Sequence, residues 1–197
     1  MSEDTKTKIL DAVIDILGQE GIQNVTIRKI AEITGVNVAS LNYHFGTKEK
    51  LIHEAMFHFK GKMAELFSIL HKEEGTPTEK LEKFMKAYSY HIAHSPGVFK
   101  SIFIQIINQQ GIVEEFVELL QKGTTQLRNI ISQCTSITDK EILDIKVIRL
   151  MSSLVYPALF GKYMKEVFNM DYKNDSTRTL YLDVVKNDTL FEGDYYG

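Results

Sequence analysis

The chain has 197 residues, of which 44% are hydrophobic and 25% charged, and its formal net charge is -3. That length holds one large domain or two small ones, with ample apolar material for a packed core. The slightly acidic balance provides no bulk positive charge with which to hold nucleic acid, so any such contact must come from a local face.

The opening MSEDTKTKIL lacks the apolar centre of a signal peptide. Cys134 stands alone, which fits a reducing compartment. No apolar run approaches the roughly 20 residues that span a bilayer. A cytoplasmic protein without membrane contact is expected.

Strand signals are scarce, and the apolar positions repeat with helical period. A first helix is predicted over Asp4 to Gln19, with Ile9, Ala12, Val13, Ile16 and Leu17 on one face. The next stretch, TIRKIAEITGVNVASLNYHFGTKEK from Thr26 to Lys50, reads as helix, tight turn, short helix, break and next helix. Thr26 can cap the first of these, and Ile27, Ile30 and Ala31 give it a buried stripe. Gly35 sits where the chain must turn through a left-handed conformation. Asn37 can cap the second helix, VASLNYHF, which Leu41 and Phe45 anchor through one face. The other positions of that helix are small or carry neutral hydrogen-bonding tips, and none is acidic. A helix that enters a major groove needs a slim contact face, groups that match base edges, and no carboxylate near phosphate. Gly46 ends this helix, and Thr47 can cap the next. Lys48 and Lys50 fall in the first turn of that next helix, where the helix dipole already favours an anion. From Gly21 to Lys50, Arg28, Lys29, Lys48 and Lys50 outnumber Glu32 and Glu49.

A long helix follows from Lys48 to about Lys72, long enough to belong to both a head and a body. EEGTPT breaks the chain at Glu73 to Thr78. Further helices are expected from about Pro77 to Ser95, over the apolar run Val98 to Gln109, and from about Ile112 to Cys134. Thr138 and Glu141 have capping-box spacing and open a helix to about Asn169, which Pro157 should kink. Asn174 to Thr189 reads as a last helix, and Glu192 to Gly197 as a tail.

The Thr26–Lys50 segment, with Leu51, resembles the TetR family of bacterial transcription regulators. Thr26, Arg28, Ile30, Ala31, Gly35-Val36, Leu41, the Tyr43-His44-Phe45 run, Lys48, Glu49 and Leu51 carry the resemblance. Asn37 stands where serine is commoner in that family, and Asn42 where tyrosine is commoner. The resemblance covers about the first quarter of the chain. It implies an all-α fold of about nine helices. Residues 1–47 would form a three-helix helix-turn-helix head, and residues 48–197 a helical effector-binding and dimerisation body. It also implies phosphate contacts through Thr26, Tyr43, His44 and Lys48, with Val38, Ala39, Ser40 and Asn42 facing base edges. Arg28 could reach either target, and Asn37 completes the candidate set.

The body is rich in large side chains with sparse polar tips. That composition suits a small-molecule pocket and equally a plain helical core. The candidates for contact with an apolar or amphipathic effector are Tyr88, His91, Phe99, Phe103, Ile107, Phe116, Tyr156 and Phe160. His91 and His94 are three apart, but no HExxH or cysteine pair accompanies them, so neither a metal nor a cofactor is expected. No nucleophile-base arrangement or phosphate loop points to an enzyme. Ile142 and Ile145 on one helix, and Leu180, Tyr181 and Val184 on another, form stripes suited to a four-helix dimer interface. A two-fold dimer would present two reading helices about 34 Å apart to a palindromic site on double-stranded DNA. The functional expectation is an effector-responsive regulator, a repressor. The competing expectation is a DNA-bound architectural or protein-partner module with no small ligand.

Overall fold

The computed structural model describes residues 1–72, 74–107 and 113–191; the side chains of 98, 101, 104–107 and 113–116 also lie outside that description. Every regular element among the described residues is helical: α1 (Glu3–Glu20), a single 3-10 turn (Ile22–Asn24), α2 (Ile27–Thr34), α3 (Val38–Phe45), α4 (Lys48–Lys72), α5 (Pro77–His94), α6 (Pro96–Ile107), α7 (Val113–Thr135), α8 (Lys140–Leu159), α9 (Gly161–Phe168) and α10 (Asp175–Leu190). No described helix is long and apolar enough to cross a membrane.

The chain divides into two compact units. The first comprises Met1–Met63 with α6, and the second Ala64–His94 with α7 to α10. The three-helix head expected over residues 1–47 is therefore the nucleus of a larger unit. Leu51, Ala55, Phe59 and Met63 of α4 are buried, as are Ile9, Val13, Ile30, Leu41 and Phe45 of the head. Helix α6 also packs on α1, and it does so closely. A Cβ at Gly97 would lie 2.3 Å from the backbone carbon of Gly18, so only glycine lets the two helices meet there. The segment Ser95-Pro96-Gly97, expected as a break, in fact starts α6, with Pro96 in the first helical position where its missing N–H costs nothing.

In the second unit, α5 packs on α8 and α10. The rings of Phe67, Phe84 and Tyr88 form a cluster with centroids 5.2–5.9 Å apart. Gly123 of α7 presses on Phe67; a Cβ there would come within 2.5 Å of the ring.

Two sequence expectations are corrected here. The cap of α8 is Asp139, whose Oδ1 accepts from the amides of Glu141 (2.9 Å) and Ile142 (3.0 Å), in place of the Thr138–Glu141 box. The helix predicted to run kinked to Asn169 is interrupted at Phe160 (φ -104°, ψ 21°), so α8 and α9 stand where one was expected. Counted as one kinked unit, the pair keeps the expected total of about nine. The physical cause is Pro157, which has no N–H to give the carbonyl of Ser153 one turn back. The Tyr181 hydroxyl of α10 supplies the missing donor at 2.9 Å.

Candidate nucleic-acid interface

The turn between α2 and α3 follows from local chemistry. Thr26 Oγ1 accepts from the amide of Lys29 at 3.2 Å and starts α2. Gly35 ends it in the left-handed region at φ 73°, its N–H bonded to the Ala31 carbonyl. Asn37 Oδ1 accepts from Ala39 N at 2.7 Å and starts α3. Leu41 and Phe45 are buried to within 1% and fasten α3 to the head. Lys8 of α1 adds a clamp that no local signal announces: its Nζ donates to the Thr34 carbonyl at 3.1 Å and caps the end of α2.

What α3 leaves outside is a continuous polar and small-residue face. Val38, Ala39, Asn42, Tyr43 and His44 are exposed, and Ser40 is half-buried. The Tyr43 ring is 85% exposed, and His44 lies edge-on to it with centroids 5.2 Å apart. So large an exposure rules out a packing role for Tyr43 and leaves its phenol free to donate. Thr26 and Asn37 each spend an acceptor on their caps and keep a donor, the Thr26 hydroxyl and the Asn37 amide N–H. Donors aimed outward around helix starts are suited to phosphate oxygens.

The cations of this region sort into two groups. Lys6 pairs with Glu54 at 3.1 Å, and Lys29 pairs with Glu20, so neither is available for an outside anion. Arg28, Lys48 and Lys50 form no side-chain ion pair among the described residues. Lys48 and Lys50 open α4, whose first turn is capped by Thr47 Oγ1 through the amide of Lys50 at 3.2 Å. The structure therefore gathers nine of the ten candidates from sequence onto α2, α3 and their caps, and adds Lys48 at the start of α4.

The effector candidates do not gather in the same way. Phe99 is buried in the first unit, edge-on to Phe59 at 5.4 Å, and Phe103 is exposed there. Tyr88 fills the aromatic cluster of the second unit, where burial pushes its phenol well above its ordinary pKa. His91 is half-buried. Tyr156 and Phe160 are exposed, their rings 4.7 Å apart, so they face outward instead of lining an interior. Ile107 and Phe116 lie outside the residues whose side chains are described. Among the described residues, no three His, Cys, Asp or Glu side chains come together in a metal-holding group.

Of the interface candidates, Ile145 (50%), Leu180 (68%) and Val184 (54%) are exposed, and Ile142 is half-buried. Tyr181 is half-buried; its ring packs edge-on to Tyr172 and its hydroxyl donates to the Ser153 carbonyl.

Comparison with known proteins agrees with this picture. The family described as "Bacterial regulatory proteins, tetR family" matches residues 9–55, which run from α1 into α4. The HTH-type transcriptional regulator BetI of Brucella abortus (strain 2308) is 33% identical over 76 residues, 39% of this chain and 38% of BetI. The chain thus matches under two fifths of the length of that relative. YttP of Bacillus subtilis (strain 168), named a probable HTH-type transcriptional regulator, is 22% identical over 94% of this chain and 92% of its own. In fold, a linker-substituted mutant of HlyIIR superposes with a TM-score of 0.69 at 21% identity, covering 98% of both chains. A TetR-family transcriptional regulator from Streptomyces coelicolor gives 0.68 at 14% identity, over 96% of this chain and 98% of its own. Residues 9–55 thus match the TetR family of bacterial regulatory proteins, and the whole chain shares the fold of these solved structures.

Proposed function

We propose that this protein is a homodimeric transcription repressor. It holds a palindromic operator through its two α3 helices and releases it when a small apolar or amphipathic effector binds the body. The observation that carries this reading is the outward face of α3. It is exposed, free of carboxylates and rich in donors, and the neighbouring helices carry Arg28 and Lys48, which form no ion pair among the described residues. Thr26, Tyr43, His44 and Lys48 contact phosphates. Asn42 presents an amide that can pair bidentately with adenine, and Val38 and Ala39 present methyl groups to thymine. Arg28, Asn37 and Ser40 complete the contact.

Release works through α4. This one helix carries buried side chains of the first unit up to Met63 and of the second from Phe67 onward. An effector that favours a different placement of α4 changes the separation of the two reading helices. It must bind the DNA-incompetent state more tightly than the competent one, or it shifts nothing. Tyr88, His91, Phe99, Phe103, Ile107 and Phe116 remain the candidate contacts. Tyr156 and Phe160, both exposed, complete that candidate set.

The test is selection of bound fragments from genomic DNA by the purified protein at near-physiological salt. A recovered palindrome with half-sites about one helical turn apart supports the reading. Salt-sensitive binding with no sequence preference sinks it. The filled aromatic cluster around Tyr88 favours a second reading, a DNA-bound module whose body is read by a partner protein and takes no small ligand. Failure of every apolar compound in a thermal-shift library, with the palindrome intact, would select that alternative.

A further inference from the structure

The first turn of α3 has no fully buried side chain of its own. Val38 and Ala39 are exposed and Ser40 is half-buried; the buried side chains that fasten α3 begin at Leu41. A helix laid in a major groove offers its N-terminal residues to the base edges, so the turn with the most exacting task has the least support from packing. Its place is set from the other side, through Gly35, Val36 and Asn37, by the end of α2. Thr34, the last residue of α2, is buried, and its Oγ1 donates back to the Ile30 carbonyl at 2.6 Å. Its own carbonyl lies at the negative end of that helix, where a cation is favoured, and accepts from Lys8 Nζ of α1 at 3.1 Å.

Lys8 is poorly placed to serve a phosphate. Asp4, Asp11 and Asp15 share its face of α1 at helical spacing, and together with Lys8 and Thr34 they line a cleft of about 490 Å³. A duplex backbone brought to that face would meet carboxylates. Asp11 is taken up by Lys62 Nζ at 2.7 Å and His58 Nε2 at 3.2 Å, both of α4. Lys8 forms no ion pair among the described residues and gives its ammonium to the Thr34 carbonyl. We propose that Lys8 is a positioning residue for base readout: by holding the end of α2 against α1, it sets where Val38, Ala39 and Asn42 meet the base edges. Leu41 and Phe45 fix which face of α3 is outward, and Lys8 fixes the height at which its first turn stands. This rests on the DNA-reading function proposed above and adds to it a residue that touches no DNA.

The test compares the wild type with Lys8→Met, which keeps the stem and removes the ammonium, and with Lys8→Arg, which keeps a charged donor. Affinity is measured on a fragment selected by the wild type and on its scrambled sequence at several salt concentrations. Lys8→Met should bind the selected fragment about tenfold more weakly, with affinity for scrambled DNA and the salt slope unchanged, because no phosphate contact is lost. Lys8→Arg should recover most of the preference. In the free protein, the amide chemical shifts of residues 36–40 should move in Lys8→Met while those of residues 42–45 stay, and the melting temperature should fall by no more than about 5 °C. Equal loss on both DNAs with a salt slope lowered by about 1 would overturn the proposal and make Lys8 a phosphate contact. An unchanged preference would overturn it and leave the lysine a local cap. A Lys8→Met that does not fold would overturn it as well, since the lysine would then be a requirement of the fold. A wild type without sequence preference would overturn the DNA-reading function itself, and the role of Lys8 with it.

Discussion

The proposed function assigns Asn42 and Lys48 to different parts of a duplex, and their removal should be distinguishable. Asn42→Ala would delete the proposed base-edge contact; it should cost about 1–3 kcal/mol at the selected site and relax the preference at one position. Lys48→Ala would delete the proposed phosphate contact, so it should weaken all sequences alike and lower the slope of log affinity against log salt by about 1. Binding isotherms on selected and scrambled DNA at several salt concentrations check both. Tyr181 tests the interior chemistry. Its hydroxyl serves the Ser153 carbonyl that Pro157 deprives of a donor, so Tyr181→Phe should cost about 1–3 kcal/mol in denaturant unfolding, with α-helix content unchanged. Asp15 gives the pH dependence. Desolvation and the Asp11 charge one turn away raise its pKa, with Lys62 opposing. A carboxyl raised on folding favours the protonated native state, so its stabilising contribution is complete at acid pH and is lost as pH rises through the native value. Asp15→Asn should therefore raise the melting temperature at neutral pH and leave it nearly unchanged well below the carboxylate range.

At the scale of elements, what was legible in the sequence was what local chemistry decides. Thr26, Gly35, Asn37 and Gly46 set the limits of α2 and α3 through caps and turns spanning a few residues, and the structure keeps those limits. The outward face of α3 was legible for the same reason, since Leu41 and Phe45 fix which side is buried. The interruption at Phe160 was not legible. Proline announces a kink, but the donor that stabilises the break comes from Tyr181, 28 residues after the Ser153 carbonyl it serves. The Lys8 clamp on Thr34 spans 26 residues and was equally hidden. The effector lining was illegible because a pocket and a core use the same side chains; Tyr88 and Phe99 prove to be buried packing residues of different units. Gly61 gives this scale its own test. It lies inside α4 on an exposed face, and a Cβ there meets nothing within 4 Å. Gly61→Ala should stabilise the protein by about 1 kcal/mol, the helix-propensity difference, as read by thermal or denaturant unfolding.

For the whole molecule, the proposed function requires two copies. One α3 of eight residues reaches too few base pairs, whereas two on a common axis read successive major grooves. The exposed apolar side chains of α8 and α10 supply a face for such a pairing. The most direct measurement is a hydroxyl-radical footprint on a selected fragment, combined with the number of chains bound per fragment. The account predicts two chains and two protected patches centred about one helical turn apart on one side of the duplex. Both patches should be lost together in Asn42→Ala. A single patch held by one chain, or uniform protection that survives that substitution, would contradict it.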